Sequence, residues 1–454
     1  MRATVSPGGY VGGETTVPVD KSVAHRWLIL AATAAGTTEL LGLPHALDVR
    51  STARSLAALV PEARAALEAW ASAPRRPGEP QGFTINKREP RPGGFGLTVA
   101  GRARSVLEAP AGELDCGNSG TTMRLLAGVL AAVRFECVLL GDDSLGRRPM
   151  ERVAAPLREM GADVRTTQGY PPVRIRGATL RGIRHRVQVP SAQVKGAVLL
   201  AGVAAEGETT IEEPAPTRDH TERALSALGG PVRREARRVT VSAFQYEGFA
   251  ARVPGDVSSA AFLVASAALT GGDLTVRGVG LNPSRTHFLD VIGRMGVRVE
   301  QRIEGEQLGE PFGDLHVAPC DGLSGTSVTA HELPLVIDEV PMLAALAAHA
   351  DGESRFEGAR ELKVKESDRL EGLAGAILGL GGQAGVDGED LVVAGGGLEG
   401  GVAGSLGDHR MAMALVVAAL RARGPSTVEG IEVAGVSFPG FVRTLRALGA
   451  RIEG

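Results

Sequence analysis

One pattern recurs six times along the 454 residues and restricts the fold more than any other feature. A turn rich in Asp, Asn, Ser or Thr leads into a run of small apolar residues; a β-like stretch, a second helix and another strand follow. The six turns read Asp20-Lys21-Ser22, Asn118-Ser119-Gly120-Thr121, Ser191-Ala192-Gln193, Asp256-Val257-Ser258-Ser259, Asp338-Glu339-Val340 and Asp408-His409-Arg410. Side chains of these types cap helices by accepting from the first backbone amides. The runs behind them, such as 123–132, 197–205, 260–269 and 411–420, are predicted helices. Second helices close on Met160-Gly161, Leu228-Gly229, Met295-Gly296, Leu380-Gly381 and Leu448-Gly449, where Gly accepts the left-handed backbone that ends a helix. In the first unit the second helix, about 49 to 70, ends differently.

Strands and helices in this mixed order do not stack easily into an open solenoid. The economical fold is α/β, with two globular domains of three βαβαββ units each. The length also exceeds one ordinary core. A hinge is predicted at Arg252-Val253-Pro254-Gly255-Asp256, and the first strand is assigned to the last units. The expected division is therefore 21–254 for units one to three and 1–20 with 255–454 for units four to six, so that the chain crosses twice. Residues 74–94, with five prolines and many charges, read as a mobile surface insertion. Six helix N-termini, each carrying about half a positive elementary charge, could then face one cleft.

Composition bounds the function. Aromatics make up only 4% of the chain, so Ala, Val and Leu must build the core. A net charge of −3 argues against nucleic acid or a membrane surface as partner through bulk electrostatics. Apolar runs such as 197–205 are too short to span a bilayer, and residues 1–5 carry no signal-peptide core. Three cysteines, at 116, 137 and 320, lack metal-ligand spacing and fit a reducing compartment. The expected location is the cytoplasm. Of 49 basic residues only five are Lys, at 21, 87, 195, 363 and 365. An ammonium can give up a proton at accessible pH where a guanidinium cannot.

The densest charge cluster is Glu361-Leu362-Lys363-Val364-Lys365-Glu366-Ser367-Asp368-Arg369. If a helix starts near Ser367, then Lys365, Glu366 and Arg369 gather around its first turn. Cations beside a carboxylate at a helix N-terminus suit an anionic ligand that must also exchange a proton.

Taken together, the ordered motifs resemble those of the EPSP synthase (5-enolpyruvylshikimate-3-phosphate synthase) family. They are Asp-Lys-Ser with Arg26, Asn-Ser-Gly-Thr-x-x-Arg at 118–124, Arg148-Pro149, Ser-Ala-Gln-x-Lys at 191–195, Arg-Asp-His-Thr-Glu at 218–222, Ile-Asp-Glu at 337–339, Lys-Glu-Ser-Asp-Arg at 365–369 and Asp-His-Arg-Met-Ala at 408–412. Ser-Ala-Gln-x-Lys and Arg-x-His-Thr-Glu look like the class II branch, which includes glyphosate-tolerant enzymes. The resemblance implies two inside-out α/β domains closing on shikimate 3-phosphate and then phosphoenolpyruvate, with no metal, no organic cofactor and a monomeric state. By the same resemblance, Lys21, Asp338 and Glu366 are the catalytic set. Asp338 would deprotonate the attacking hydroxyl, Glu366 would protonate the methylene carbon, and Lys21 would touch both substrates and pass a proton. Ser22, Arg26, Ser191, Ala192, Gln193, Arg218 and Lys365, with Lys21 and Asp338, resemble the shikimate-phosphate site. Asn118, Gly120, Arg148, Arg369 and Arg410, with Lys21 and Gln193, resemble the phosphoenolpyruvate site, and Arg124 and His409 support it. Addition followed by elimination needs an acid and a base whose roles reverse, hence two carboxylates in different environments.

Some positions depart from the family pattern. Val19 precedes Asp20 where class II members usually carry Gly, and their Asn-x-Thr-Arg stands here as Asn282-Pro283-Ser284-Arg285. Val436 replaces the late Lys of class I enzymes, so no catalytic Lys is expected there. Gly120 stands where some tolerant enzymes have Ala, which predicts that glyphosate is still admitted to some degree. The nearest alternative, UDP-N-acetylglucosamine enolpyruvyl transferase, would need a lid loop presenting Cys.

Overall fold

The computed structural model describes residues 1–73, 96–101 and 107–454. The insertion expected at 74–94 lies outside the described residues. The six predicted turns each open a helix: Lys21–Thr33, Gly120–Leu130, Ala192–Gly202, Val257–Thr270, Val340–Ala347 and His409–Ala419. Five carry the expected side-chain cap, from Asp20, Ser119, Ser191, Asp256 and Asp408. The fifth turn differs. There Glu339 is the N-cap and makes no side-chain cap bond, so Asp338 just ahead of it is left to other partners.

These helices are apolar nearly all round, and a helix without a polar face must be enclosed. Val257 through Leu269 are all buried. The six helices accordingly lie inside, and the sheets lie outside them. Small residues let the helix axes approach. A Cβ on Gly128 would sit 2.0 Å from the Ala197 carbonyl oxygen, so only Gly allows Gly120–Leu130 to pack this closely on Ala192–Gly202.

The strands form six sheets among the described residues. The first strand, Arg2–Ser6, pairs antiparallel with Ser426–Glu429 on one side and Arg451–Glu453 on the other. The second, Gly13–Thr16, runs parallel to Leu274–Gly280. Buried apolar side chains fall into two separate cores. One draws on residues 3–17 and 257–452, the other on 19–253. The chain passes between them twice, and the two passages bond to each other: the Asp20 amide donates to the Pro254 carbonyl at 2.8 Å, and the Asp256 amide to the Pro18 carbonyl at 2.7 Å.

Two local expectations need correction. The helix expected over about 49 to 70 is two helices, Leu47–Leu59 and Pro61–Ser72. Proline has no amide to donate and is at home in the first turn of a new helix, so Pro61 restarts the helix. The helix expected near Ser367 begins at Arg369, because Asp368 accepts from the amides of Leu370 and Glu371 and takes the cap. Residues Ala359–Val364 form a 3₁₀ turn ahead of it. The five second helices do end on Gly with positive φ, at 161, 229, 296, 381 and 449.

Candidate active site

A cleft of about 550 Å³ lies between the two cores, within the span of roughly 300–1,000 Å³ typical of small-molecule sites. Each of the six enclosed helices, or the turn leading into it, contributes to its wall: Lys21 and Ser22; Thr121 and Arg124; Ala192 and Gln193; Ser258 and Ser259; Asp338; His409 and Arg410. Seven Lys and Arg side chains line it against five carboxylates. In a chain of net charge −3, the excess of positive charge is thus concentrated where helix dipoles also converge.

Asp338 is the electrostatic centre. Its carboxylate bonds to the Arg218 guanidinium, which comes from the other core. Arg369 Nη1 lies 3.6 Å from it, Arg410 Nη2 3.6 Å and Lys365 Nζ 3.8 Å. Burial alone would raise its proton affinity; Arg218 and Arg410, then Lys365 and Arg369, overcome burial and hold Asp338 well below the usual carboxylate range. Lys365 is lowered from the ordinary lysine value by burial, although Asp338 opposes that shift.

Glu366 accepts from Arg369 Nη2 at 2.7 Å. Burial pushes its carboxyl up, but Arg369 and then His409 pull it down to about 2. Arg369 is itself 1% exposed and its Nε donates to Asp408 at 2.7 Å. Its Nη1 has no hydrogen-bond partner, which leaves a buried donor beside Asp338 and Glu366. His409 is held neutral, lowered to about 3 by burial and by Lys21 and Arg410.

The facing wall is built on the other core. Lys21 Nζ lies 3.1 Å from Asp48. Arg124 donates to the Gln193 side-chain oxygen, and Gln193 Nε2 donates to Thr121 Oγ1 at 2.8 Å, so Gln193 is fixed from two sides. Arg148 lines the cleft and donates to Asn118 Oδ1 at 2.8 Å.

Of the predicted residues, Lys21, Ser22, Arg124, Arg148, Ser191, Ala192, Gln193, Arg218, Asp338, Lys365, Glu366, His409 and Arg410 all line this one cleft. Four stand behind it. Arg26 is buried beneath Ser22, donating to the Ser22 carbonyl at 2.8 Å and to Thr221 at 2.9 Å. Asn118 sits in the turn that supports Arg148. Gly120 faces Arg124: a Cβ there would lie 2.9 Å from its Nη1. Arg369 backs Glu366.

Sequence reasoning missed Asp48 in the cleft wall and the supporting carboxylates Glu339 and Asp408 buried behind it. From the sequence Asp408 is only a helix cap, yet it both caps its helix and orients Arg369. Asp48 is paired with Lys21, and burial raises while Lys21 and His25 lower its carboxyl, with a net fall. Its Oδ1 has no hydrogen-bond partner. Nothing near Asp48 in sequence marks it, because the pairing joins two turns of the first unit only in space.

The EPSP synthase (3-phosphoshikimate 1-carboxyvinyltransferase) family model matches residues 5–81 and 94–445. The 3-phosphoshikimate 1-carboxyvinyltransferase of Halorhodospira halophila is 45% identical over 458 residues, covering 99% of this chain and 96% of the relative. That of Methylococcus capsulatus is 42% identical over 454 residues, covering 99% and 98%. Among solved structures, EPSP synthase from Acinetobacter baumannii superposes with a TM-score of 0.84 at 38% identity, covering 100% of this chain and 99% of that one. The enolpyruvyl transferase NikO from Streptomyces tendae shares the fold, with a TM-score of 0.72 at 19% identity over 100% and 98% of the two chains.

Proposed function

The chain belongs to the EPSP synthase family of 3-phosphoshikimate 1-carboxyvinyltransferases, and on that premise we propose how its cleft carries the reaction. The enzyme transfers the enolpyruvyl group of phosphoenolpyruvate to the 5-hydroxyl of shikimate 3-phosphate and releases phosphate. Asp338 accepts the hydroxyl proton as the oxygen bonds to C2 of phosphoenolpyruvate. The methylene carbon gains a proton from Glu366, and Lys21, which lines the same cleft, relays one. The tetrahedral adduct then returns a proton from the new methyl group, the C2–O bond to phosphate breaks, and phosphate departs.

The observation that carries this reading is the position of Asp338, ringed by Arg218 from one core and by Lys365, Arg369 and Arg410 from the other. In the unliganded protein Asp338 is too strongly neutralised to be a good base. The sugar phosphate competes for Arg218 and so loosens the hold on Asp338 as it binds. Glu366 is ionised at neutral pH with its carboxyl at about 2. It can donate only after the incoming anions settle against Lys365 and Arg410 in the cleft and raise its proton affinity. The acid is therefore created by substrate binding. Ser22, Ser191, Ala192 and Gln193 hold the shikimate phosphate. Arg148 and Arg410 grip phosphoenolpyruvate with His409 beside Arg410 in the cleft wall, Arg124 supports Gln193, and Asn118, Gly120 and Arg26 shape the wall behind.

The two cores support taking 21–254 and 1–20 with 255–454 as the closing lobes. The reading extends to a monomer working in the cytoplasm on small anionic substrates, without a nucleic-acid partner. No described helix is long and apolar enough to cross a membrane. The thiol-lid alternative is not favoured: Cys116 and Cys137 are buried, burial raises both thiols, and no cysteine lines the cleft.

The test is phosphate release with both shikimate 3-phosphate and phosphoenolpyruvate present. Release should require both. Activity with phosphoenolpyruvate and a nucleotide sugar, and none with shikimate 3-phosphate, would refute the reading.

A further inference from the structure

The motif Asn282-Pro283-Ser284-Arg285 lies outside the cleft, yet Asn282 is only 2% exposed and Arg285 4%. Arg285 sits where the two chain passages between the cores end. A helix cap stands directly after each passage. Asp20 Oδ1 accepts from the Val23 amide at 3.0 Å, and Asp256 Oδ1 from the Ser258 amide at 3.0 Å. Arg285 reaches both caps. Its Nη1 donates to Asp20 Oδ2 at 2.9 Å, and its Nη2 lies 3.4 Å from Asp256 Oδ1 and donates to Ser258 Oγ at 2.7 Å. Ser258 Oγ donates in turn to the Glu339 carboxylate, the neighbour of Asp338.

The surroundings extend the same cross-link. Arg285 Nη1 is 3.4 Å from His220 Nε2, whose Nδ1 meets Glu310 at 2.8 Å. Asn282 Nδ2 donates to Asp219 at 2.8 Å and to Glu310 at 2.9 Å. Asp219 and His220 belong to the motif that carries Arg218, on one side of the passages; Asn282, Arg285 and Glu310 stand on the other.

We propose that Arg285 is a positioning residue for the transfer reaction. Its fork clamps the caps of the Lys21–Thr33 and Val257–Thr270 helices and, through Ser258 and Glu339, registers Lys21 on one lobe against Asp338 on the other. The inference rests on the proposed roles of Lys21 and Asp338 and adds the device that aligns them. A planar guanidinium serves two carboxylates and a hydroxyl at fixed angles, which a single ammonium cannot reproduce. Burial opposes its charge, but Asp20, Asp256 and Glu339 more than offset that, so Arg285 stays protonated. A misplacement of about 1 Å between reacting groups costs on the order of 10²-fold in rate. The loss should therefore fall on turnover.

The experiment compares wild type with Arg285→Lys and Ser258→Ala. It reads kcat and KM from phosphate release, shikimate 3-phosphate affinity by calorimetry, and thermal midpoints. Arg285→Lys should fold, bind shikimate 3-phosphate within about threefold of wild type, and lose about 10²-fold in kcat. Should Arg285→Lys not fold, Ser258→Ala decides: it removes the guanidinium's bond to Ser258 and the relay to Glu339 while leaving both carboxylate contacts, and should lower kcat about tenfold with shikimate 3-phosphate affinity within about threefold of wild type. An active wild type with kcat within twofold in the variant that decides, or a kcat loss matched by an equal loss of affinity, overturns the clamp alone. A wild type that releases no phosphate refutes the reaction reading and the clamp with it.

Discussion

Lys195 offers the sharpest test of how this site is supported. It is one of five lysines in the chain, is 2% exposed, and lies one turn into the helix that carries Gln193. Its Nζ is 2.8 Å from Glu213 and 2.8 Å from Glu222, and it reaches the Thr217 carbonyl at 3.4 Å. Thr217 also donates its hydroxyl to Glu213. The trio therefore anchors the loop that presents Arg218 to Asp338. Replacing the ammonium by a neutral chain of similar length, Lys195→Met, leaves two buried carboxylates facing each other. Breaking a buried pair in this way costs about 3–5 kcal/mol.

Here the lower end applies. Burial already raises the proton affinity of Glu213 despite Lys195, so one carboxyl will take up a proton once the ammonium is gone. For a lobe of this size about 3 kcal/mol lowers the thermal midpoint by roughly 6–12 °C. The sign with pH follows. Lys195 is raised above its ordinary value of 10.5 by its two glutamates against the burial penalty. Its contribution is thus fully present below that value and fades only as pH rises past the folded value. The variant's deficit should shrink from pH 8 to pH 5, as a carboxyl is protonated more cheaply. Adding Glu222→Gln should recover part of it, and KM for shikimate 3-phosphate should rise in the single variant through Arg218. Denaturant titration at both pH values reads the effect. A deficit under about 1 kcal/mol at pH 8, or an equal deficit at both pH values, would refute the reasoning.

Asp338→Ala and Glu366→Gln should each lower kcat by about 10²–10⁴-fold while substrate affinity falls far less; a raised KM alone would contradict the assigned roles. Gly120→Ala should relieve glyphosate inhibition by pressing its methyl on Arg124 Nη1, 2.9 Å away, and so shifting Gln193; equal, high tolerance in wild type and variant would defeat this steric argument. His25 and His349 are both lowered from 6.5 to about 4 by burial. The unfolded chain binds their protons first, so stability should fall as pH drops from 6.5 toward 4, by up to about 3 kcal/mol per imidazole. Stability that is flat over that window in denaturant titrations would count against it. Shikimate 3-phosphate should compact the molecule in solution scattering more than phosphoenolpyruvate does, because Arg218 and Lys365 offer it one contact from each lobe.

Local chemistry determined where the six enclosed helices start, five of them with side-chain caps, and the glycines that end their partners, because caps and close backbone turns need particular residue types in short spans. Asp20, Ser191 and Asp408 announce their helices from three or four neighbours, and the motifs around them name most of the cleft wall. Other features depend on distance. That Pro61 splits a helix was legible in principle, but that the fifth helix starts without a side-chain cap, with Asp338 turned to four cations instead, depends on residues far away in the sequence. The Lys21–Asp48 pair, the Arg285 clamp and the joining of Arg218 to Asp338 link residues 27, 265 and 120 positions apart. No periodicity encodes such contacts. They exist because two separate cores bring the starts of six enclosed helices to one gap, and it is that convergence which sets the charge state of each group within it.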